Sequence, residues 1–209
     1  MSIALLTFDI FGTVVDWRSG LRAALGGALS DGQFEAIIDR QAALEGGRFR
    51  SYAEIVAQSL VDVLKLNAVL AAGIGAEAGN WPLFPDAAEA LRKLRGVARC
   101  AAITNSDASH GAQVQAQLGF ALDGWICAGE EHDYKPSPAL WQAAARRMGV
   151  PFSRDWWHVS AYADYDHATA RKLGLTCVFV QRAHARPGPA DVTVADLAEL
   201  AARVGAAPG

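Results

Sequence analysis

The chain has few cysteines, no surplus of positive charge and no long apolar run, and each shortage removes a class of protein. Its three cysteines, Cys100, Cys127 and Cys177, form no C-x-x-C pair and stand within apolar stretches. They read as reduced core residues, with no disulfide frame and no zinc site. No stretch approaches the roughly 18 apolar residues of a membrane span, and Asp9 cuts the N-terminal apolar run too early for a signal peptide. A cytoplasmic protein with no membrane partner is expected. Lysine and arginine number 19 against 22 acidic residues, a formal charge of -3, so no basic surplus is available for nucleic acid. The five histidines (His110, His132, His158, His167 and His184) lack metal-ligand spacing, and none joins a serine or cysteine in a recognisable nucleophile motif. His167 is expected at a helix N-terminus facing solvent.

What is present is enough for one substantial core and one inserted subdomain: 209 residues, 52% of them apolar. The run from Ile3 to Phe8 reads as a short buried strand. After it, residues 21–29, 33–44 and 52–64 show helical periodicity, followed by an alanine-rich piece from Ala68. From Pro85 onward, helices and short apolar strands alternate. Asp86 is placed to cap a helix over 87–94, and a strand is expected over 98–104. A helix over 109–118, an apolar segment over 125–128 and a helix opened by Ser137-Pro138 come next. The remaining elements are a strand over 156–160, a helix over 167–173, a strand over 176–180 and a closing helix over 194–204. Residues 182–189, with two prolines and a glycine, read as a surface loop. Single helices between strands imply right-handed crossovers and a parallel sheet, with ligands beyond the carboxyl ends of its strands. The helical segment that follows the first strand then lies over that edge as a cap. The fold class is α/β, with core residues 1–15 and 79–209 and a helical cap over 16–78.

The chemistry is concentrated in Phe8-Asp9-Ile10-Phe11-Gly12-Thr13, where the first strand delivers a lone carboxylate to the sheet edge and Gly12 permits a tight turn. A carboxylate there can act as a nucleophile. Two places on stands Phe11, which has no proton to give. An alkoxide leaving group needs a general acid, whereas a halide leaves without one. The stretch therefore favours displacement at carbon over cleavage of phosphate esters.

That stretch resembles the first motif of the haloacid dehalogenase superfamily, whose phosphatases carry Asp-x-Asp and whose 2-haloacid dehalogenases carry Asp-x-Tyr-Gly-Thr. Other stretches extend the likeness over nearly the whole chain. Arg40-Gln41 and Leu44-Glu45 stand about thirty residues past Asp9, as an arginine, a glutamine and Leu-Glu do in the dehalogenases. Ala101-Ala102-Ile103-Thr104-Asn105 is similar to the second motif and Tyr134-Lys135-Pro136-Ser137-Pro138 to the third. Trp141 occupies a position where dehalogenases often carry tyrosine. The fourth motif departs: against Ser-Ser-Asn-Ala-Trp-Asp the chain reads Ser160-Ala161-Tyr162-Ala163-Asp164-Tyr165-Asp166, and the asparagine is missing.

The resemblance implies a Rossmann-like parallel sheet with an inserted helical cap, and a hydrolytic dehalogenase of short 2-haloalkanoic acids working through an aspartyl ester. Asp9 is the implied nucleophile, Arg40 the halide-binding cation, Lys135 the ammonium that aims Asp9, and Asp166 the activator of water. Thr104 and Asn105 would take the substrate carboxylate. Phe11, Gln41, Leu44, Tyr52, Trp141 and Tyr165 would contact the rest, and Trp17 would wall the pocket. No cofactor is implied. Magnesium is disfavoured, because Lys135 and Arg40 balance Asp9 and Asp166 by charge count. The partner is a small anionic organic acid; homodimers are frequent among similar enzymes, and the apolar cap helices offer a surface for one. Two rivals keep the scaffold: a phosphatase stimulated by Mg²⁺, and a non-catalytic binding protein. A third variant keeps the mechanism and changes the bond, to C–F or a strained ring.

Overall fold

The computed structural model describes residues 3–27 and 29–205. The outermost residues of the expected core, 1–2 and 206–209, lie outside these, as does Ala28 within the helix expected over 21–29. Six parallel strands form one sheet in the order β3-β2-β1-β4-β5-β6: β1 (Leu5–Phe8), β2 (Arg99–Thr104), β3 (Gly124–Cys127), β4 (Trp156–Ser160), β5 (Thr176–Val180) and β6 (Val192–Val194). Helices cover the sheet, as the alternating pattern implies. β1 and β5 are buried along their whole length, which is why they read as unbroken apolar runs. β1 sits centrally between β2 and β4, so Asp9 leaves the sheet in its middle.

Four helices fill the connection between β1 and the helix leading to β2: α1 (Trp17–Ala24), α2 (Asp31–Glu45), α3 (Tyr52–Leu64) and α4 (Ala68–Ala76). α2 and α3 each begin with a reciprocal capping box, Ser30 with Gln33 and Ser51 with Glu54. Several polar ties fasten this insertion to the core. The amides of Tyr52 and Ala53 donate to the Asp107 carboxylate, each at 3.0 Å. The Arg50 amide donates to the Tyr134 hydroxyl at 2.9 Å, and His110 Nε2 meets the Gly75 carbonyl at 2.9 Å. Phe34, Ile37, Tyr52, Val56 and Leu60 join the same apolar cluster as Leu6 and Phe8 of β1 and Ile10 just beyond it.

The remaining helices are α5 (Ala87–Arg95), α6 (Ala108–Leu118), α7 (Ala128–Glu131), α8 (Ala139–Met148), α9 (Asp166–Lys172) and α10 (Leu197–Gly205). Three expectations need correction. α1 starts and stops earlier than 21–29, because the Asp16 side chain caps it by accepting from the Ser19 amide and Gly26 breaks it at φ 63°. The closing helix expected over 194–204 is two elements, since Val192–Val194 pairs with β5 as an edge strand before α10 begins. Asp86 gives its own helix no side-chain cap: Arg182 claims both its oxygens at 2.7 and 3.0 Å, and the Leu197 amide adds 2.8 Å, so it caps α10 instead. The three cysteines are buried and unpaired.

Candidate active site

Asp9 leaves β1 at the carboxyl edge, 4% exposed. Its amide donates to the Val159 carbonyl at 2.9 Å, which pins the main chain, and the turn beyond it closes through amides of residues 13–15 onto the Ile10 carbonyl. Gly12 makes this turn at φ 97°, and a Cβ there would stand 2.3 Å from the Tyr162 ring. Glycine is required on both counts. Thr13 Oγ1 donates to Asp9 Oδ2 at 2.7 Å and accepts from the Ala161 amide at 2.9 Å, which ties the first motif to the fourth.

Lys135 brings its ammonium to the other oxygen. Nζ donates to Asp9 Oδ1 at 2.7 Å and to Asp166 Oδ2 at 2.9 Å, with all three side chains almost fully buried. The loop carrying it is held by Asn105, whose Oδ1 accepts from the Lys135 amide at 2.7 Å and whose Nδ2 donates to the Lys135 carbonyl at 3.3 Å. Ser160 Oγ adds a bond of 2.8 Å to Asp166 Oδ2. His158 Nε2 lies 3.5 Å from that oxygen without making a hydrogen bond.

Burial pushes the Asp9 carboxyl above its ordinary value, a push that Lys135 opposes. Burial would also lower the lysine, but Asp166 and Asp9 outweigh it and hold the ammonium charged. For Asp166 the balance of burial against Lys135 falls the other way, to about 2. The result is an ionised carboxylate behind the lysine and a more basic one in front. A more basic carboxylate is the better nucleophile.

A cavity of about 350 Å³ opens over Asp9 and Lys135. Phe11, Tyr52, Trp17 and Tyr165 line it, with Thr104, Asn105 and Ser106 at the end of β2 and Ile38, Gln41, Ala42 and Glu45 of α2 as its roof. Tyr52 rests on Phe11 with ring centroids 4.9 Å apart. Burial keeps the Tyr52 and Tyr165 hydroxyls neutral, well above the usual tyrosine range. Glu45 accepts from Asn105 Nδ2 at 3.2 Å, and burial raises it to about 7. Tyr162, Asp164 and Arg186 complete the wall.

Of the residues expected at the site, Asp9, Lys135, Phe11, Gln41, Tyr52, Thr104, Asn105 and Tyr165 share this cavity. Asp166 stands behind Lys135, outside the cavity wall. Three others are elsewhere. Arg40 turns away from the roof and pairs with Asp62 of α3, Nε to Oδ2 at 2.6 Å. Leu44 is buried in the seam between insertion and core, against Ile55, Ala128 and Tyr134. Trp141 lies on a face of α8 packed beneath the sheet, its ring 5.3 Å from His158. His167 is fully buried, not solvent-facing, and the Pro189 carbonyl meets its Nδ1 at 3.1 Å. Residues not singled out in advance are Thr13, Ser160, Glu45, Ser106 and Arg186. The first three stand inside the matching stretches and were findable there; Arg186 carries no signal in its own surroundings.

A magnesium ion beside Asp9 would take its oxygens from carboxylates. Lys135's ammonium already stands between the two carboxylates that would hold one, and Phe11 offers no oxygen. Among the described residues no group of three or more histidine, cysteine or carboxylate side chains is arranged as ligands.

Residues 3–157 match the model of a family described as haloacid dehalogenase-like hydrolase. A curated relative, (S)-2-haloacid dehalogenase 4A of Burkholderia cepacia, is 33% identical over 102 residues, which is 47% of this chain and only 43% of the relative's own length. Among solved structures, a defluorinating L-2-haloacid dehalogenase superposes with a TM-score of 0.84 at 21% identity, over 98% of this chain and 96% of that one. The L-2-haloacid dehalogenase of Xanthobacter autotrophicus with chloropropionic acid covalently bound superposes with a TM-score of 0.83 at 18% identity, over 99% of both chains. At these identities the structural likeness is one of fold. No helix of the described residues is long and apolar enough to cross a membrane.

Proposed function

The chain belongs to the haloacid dehalogenase-like hydrolases, and from that membership we propose that it is a metal-independent dehalogenase of short 2-haloalkanoic acids, with Asp9 as nucleophile and residues 16–78 as cap. The observation that carries the reading is Phe11 in the pocket wall two residues past Asp9. A phosphate ester needs its alkoxide protonated, and no donor stands there; a halide needs none. The curated relative and the solved neighbours, named as 2-haloacid dehalogenases, support the same substrate class.

In the first step an oxygen of Asp9 bonds to the α-carbon while the carbon–halogen bond breaks and its electron pair leaves as halide. Lys135 and Thr13 hold Asp9 ionised and aimed, which replaces the reorganisation that water would otherwise require. The turn of Thr104, Asn105 and Ser106 receives the substrate carboxylate. In the second step water adds to the ester carbonyl of Asp9, and the 2-hydroxy acid leaves with the proton. Asp166 aims Lys135, and the resemblance makes it the base that activates the water. A specific observation favours Asp164 as the base instead: it lines the cavity and burial raises its carboxyl, whereas Asp166 lies behind the lysine and is held at about 2. Single-turnover measurement separates the two, because loss of the true base traps the Asp9 ester.

The test is halide release from chloroacetate, fluoroacetate and both enantiomers of 2-chloropropionate, with EDTA and with Mg²⁺, beside Asp9→Asn and a phosphate-release assay. EDTA-resistant release that disappears in Asp9→Asn is expected. Phosphate release that needs Mg²⁺, with no halide from any haloacid, would replace this reading with the phosphatase. Silence in both assays would leave a binding role.

A further inference from the structure

Resting on the dehalogenase reading, we propose that Arg186 receives the departing halide, the task that the resemblance gives to Arg40. In-line displacement sends the leaving group away from Asp9, toward the roof of the pocket, where its full negative charge needs donors. Arg40 cannot supply them, since its Nε is bound to Asp62 outside the cavity. Lys135 is on the floor, bound to two carboxylates.

Arg186 is the other cation of the cavity wall among the described residues, and its guanidinium makes no hydrogen bond there. Its nearest carboxylates are Glu35 at 3.6 Å and Asp164 at 4.0 Å. Glu35 belongs to α2, one turn before Ile38, so the guanidinium stands at the level of the roof. The backbone that carries it is fixed. The Arg186 amide donates to the Ala161 carbonyl at 2.8 Å, and the Ala163 amide donates back to the Arg186 carbonyl at 2.9 Å. Two residues on, Gly188 packs so closely that a Cβ would fall 2.7 Å from the Ala163 carbonyl carbon. A planar, permanently charged fork on a pinned backbone suits a halide released at a fixed point. In the step itself the Asp9–carbon bond forms, the carbon–halogen bond breaks, and both bonding electrons go to the halide that Arg186 then holds.

The test compares single-turnover ester formation from 2-chloro-, 2-bromo- and 2-iodopropionate in the wild type, Arg186→Gln and Arg186→Lys. Losing a charged donor from a leaving group lowers the chloride rate about 10- to 100-fold. Iodide, whose charge is more diffuse, loses less, and the lysine variant recovers part of the chloride rate. Arg40→Ala keeps the wild-type ratio of chloride to iodide. Equal losses for all three halides, with a raised KM, would place the substrate carboxylate at Arg186 and overturn the proposal; so would unchanged rates. A second readout does not depend on turnover: ³⁵Cl line broadening by the wild type, absent in Arg186→Gln, is expected, and equal broadening by both proteins would overturn it. A wild type that turns over no haloacid yet binds chloride through Arg186 would refute the dehalogenase reading alone.

Discussion

Replacing Lys135 by methionine leaves the length of the side chain and removes one buried charge. Two carboxylates, both within 2.9 Å of the missing nitrogen and almost fully buried, then face each other without a cation. Removing one partner of a buried ion pair costs about 3–5 kcal/mol, because the charge left behind is unsolvated. A proton can relieve this, and that gives the loss its pH dependence. In the wild type Asp166 is held at about 2 against an ordinary 3.8, so its share of stability is present above the ordinary value and is lost as the pH falls through about 2. Asp9, raised by burial, works in the opposite sense.

In Lys135→Met both carboxyls are raised, and the folded state takes up a proton that the unfolded chain has released. The penalty is absent below about pH 4, where both states are protonated, and grows by about 1.4 kcal/mol per pH unit until the shared proton leaves. Because wild-type Asp9 titrates in the same direction, the quantity to measure is the difference between the two proteins at each pH. Urea unfolding followed by tryptophan fluorescence at pH 5.5 and pH 8 supplies it. A loss of about 3–5 kcal/mol at pH 8 that shrinks at pH 5.5 is expected. A loss below about 1 kcal/mol, or one that is the same at both values, would refute the picture of two ionised carboxylates sharing one lysine.

Thr13→Val removes the hydroxyl that joins Asp9 to the Ala161 amide; denaturation should show a loss of about 1–3 kcal/mol together with slower ester formation, and Thr13→Ser should restore both. Glu45, titrating at about 7, is neutral below that pH and repels an anionic substrate above it, so KM should rise as the pH passes 7 and Glu45→Gln should flatten the rise; a rise that persists in the variant assigns it to another group. Gly12→Ala forces a Cβ at positive φ into the Tyr162 ring, with an expected loss of about 2 kcal/mol or more and a changed emission from Trp17, whose Nε1 donates to the Tyr162 hydroxyl at 2.9 Å.

The sequence made the core residues readable because strand ends place side chains through the backbone alone. Asp9 and Thr104 stand at the carboxyl ends of β1 and β2, and such ends project into one crevice whatever packs around them. A helix gives no such guarantee, since its rotation is set by packing partners that the local pattern does not name. Ile38, Gln41, Ala42 and Glu45 fall on one stripe of α2 and form the roof. Arg40 is a single residue from Gln41 yet about 100° around the helix, where Asp62 of α3 meets it.

The edge strand β6 escaped notice for a related reason, being three residues long with partners only in β5. The least legible feature is Arg186, and its placement is tied to the motif that departs from the resemblance. Ala161 and Ala163 are fully buried where residue 186 pairs across them, and a Cβ on Gly188 would strike the main chain of Ala163. The segment crosses over these two small buried residues, and the same crossing carries a guanidinium to the pocket wall. Ala163 is fully buried beneath that crossing, so Ala163→Asn should push the 182–189 segment outward and lower the chloride rate as Arg186→Gln does.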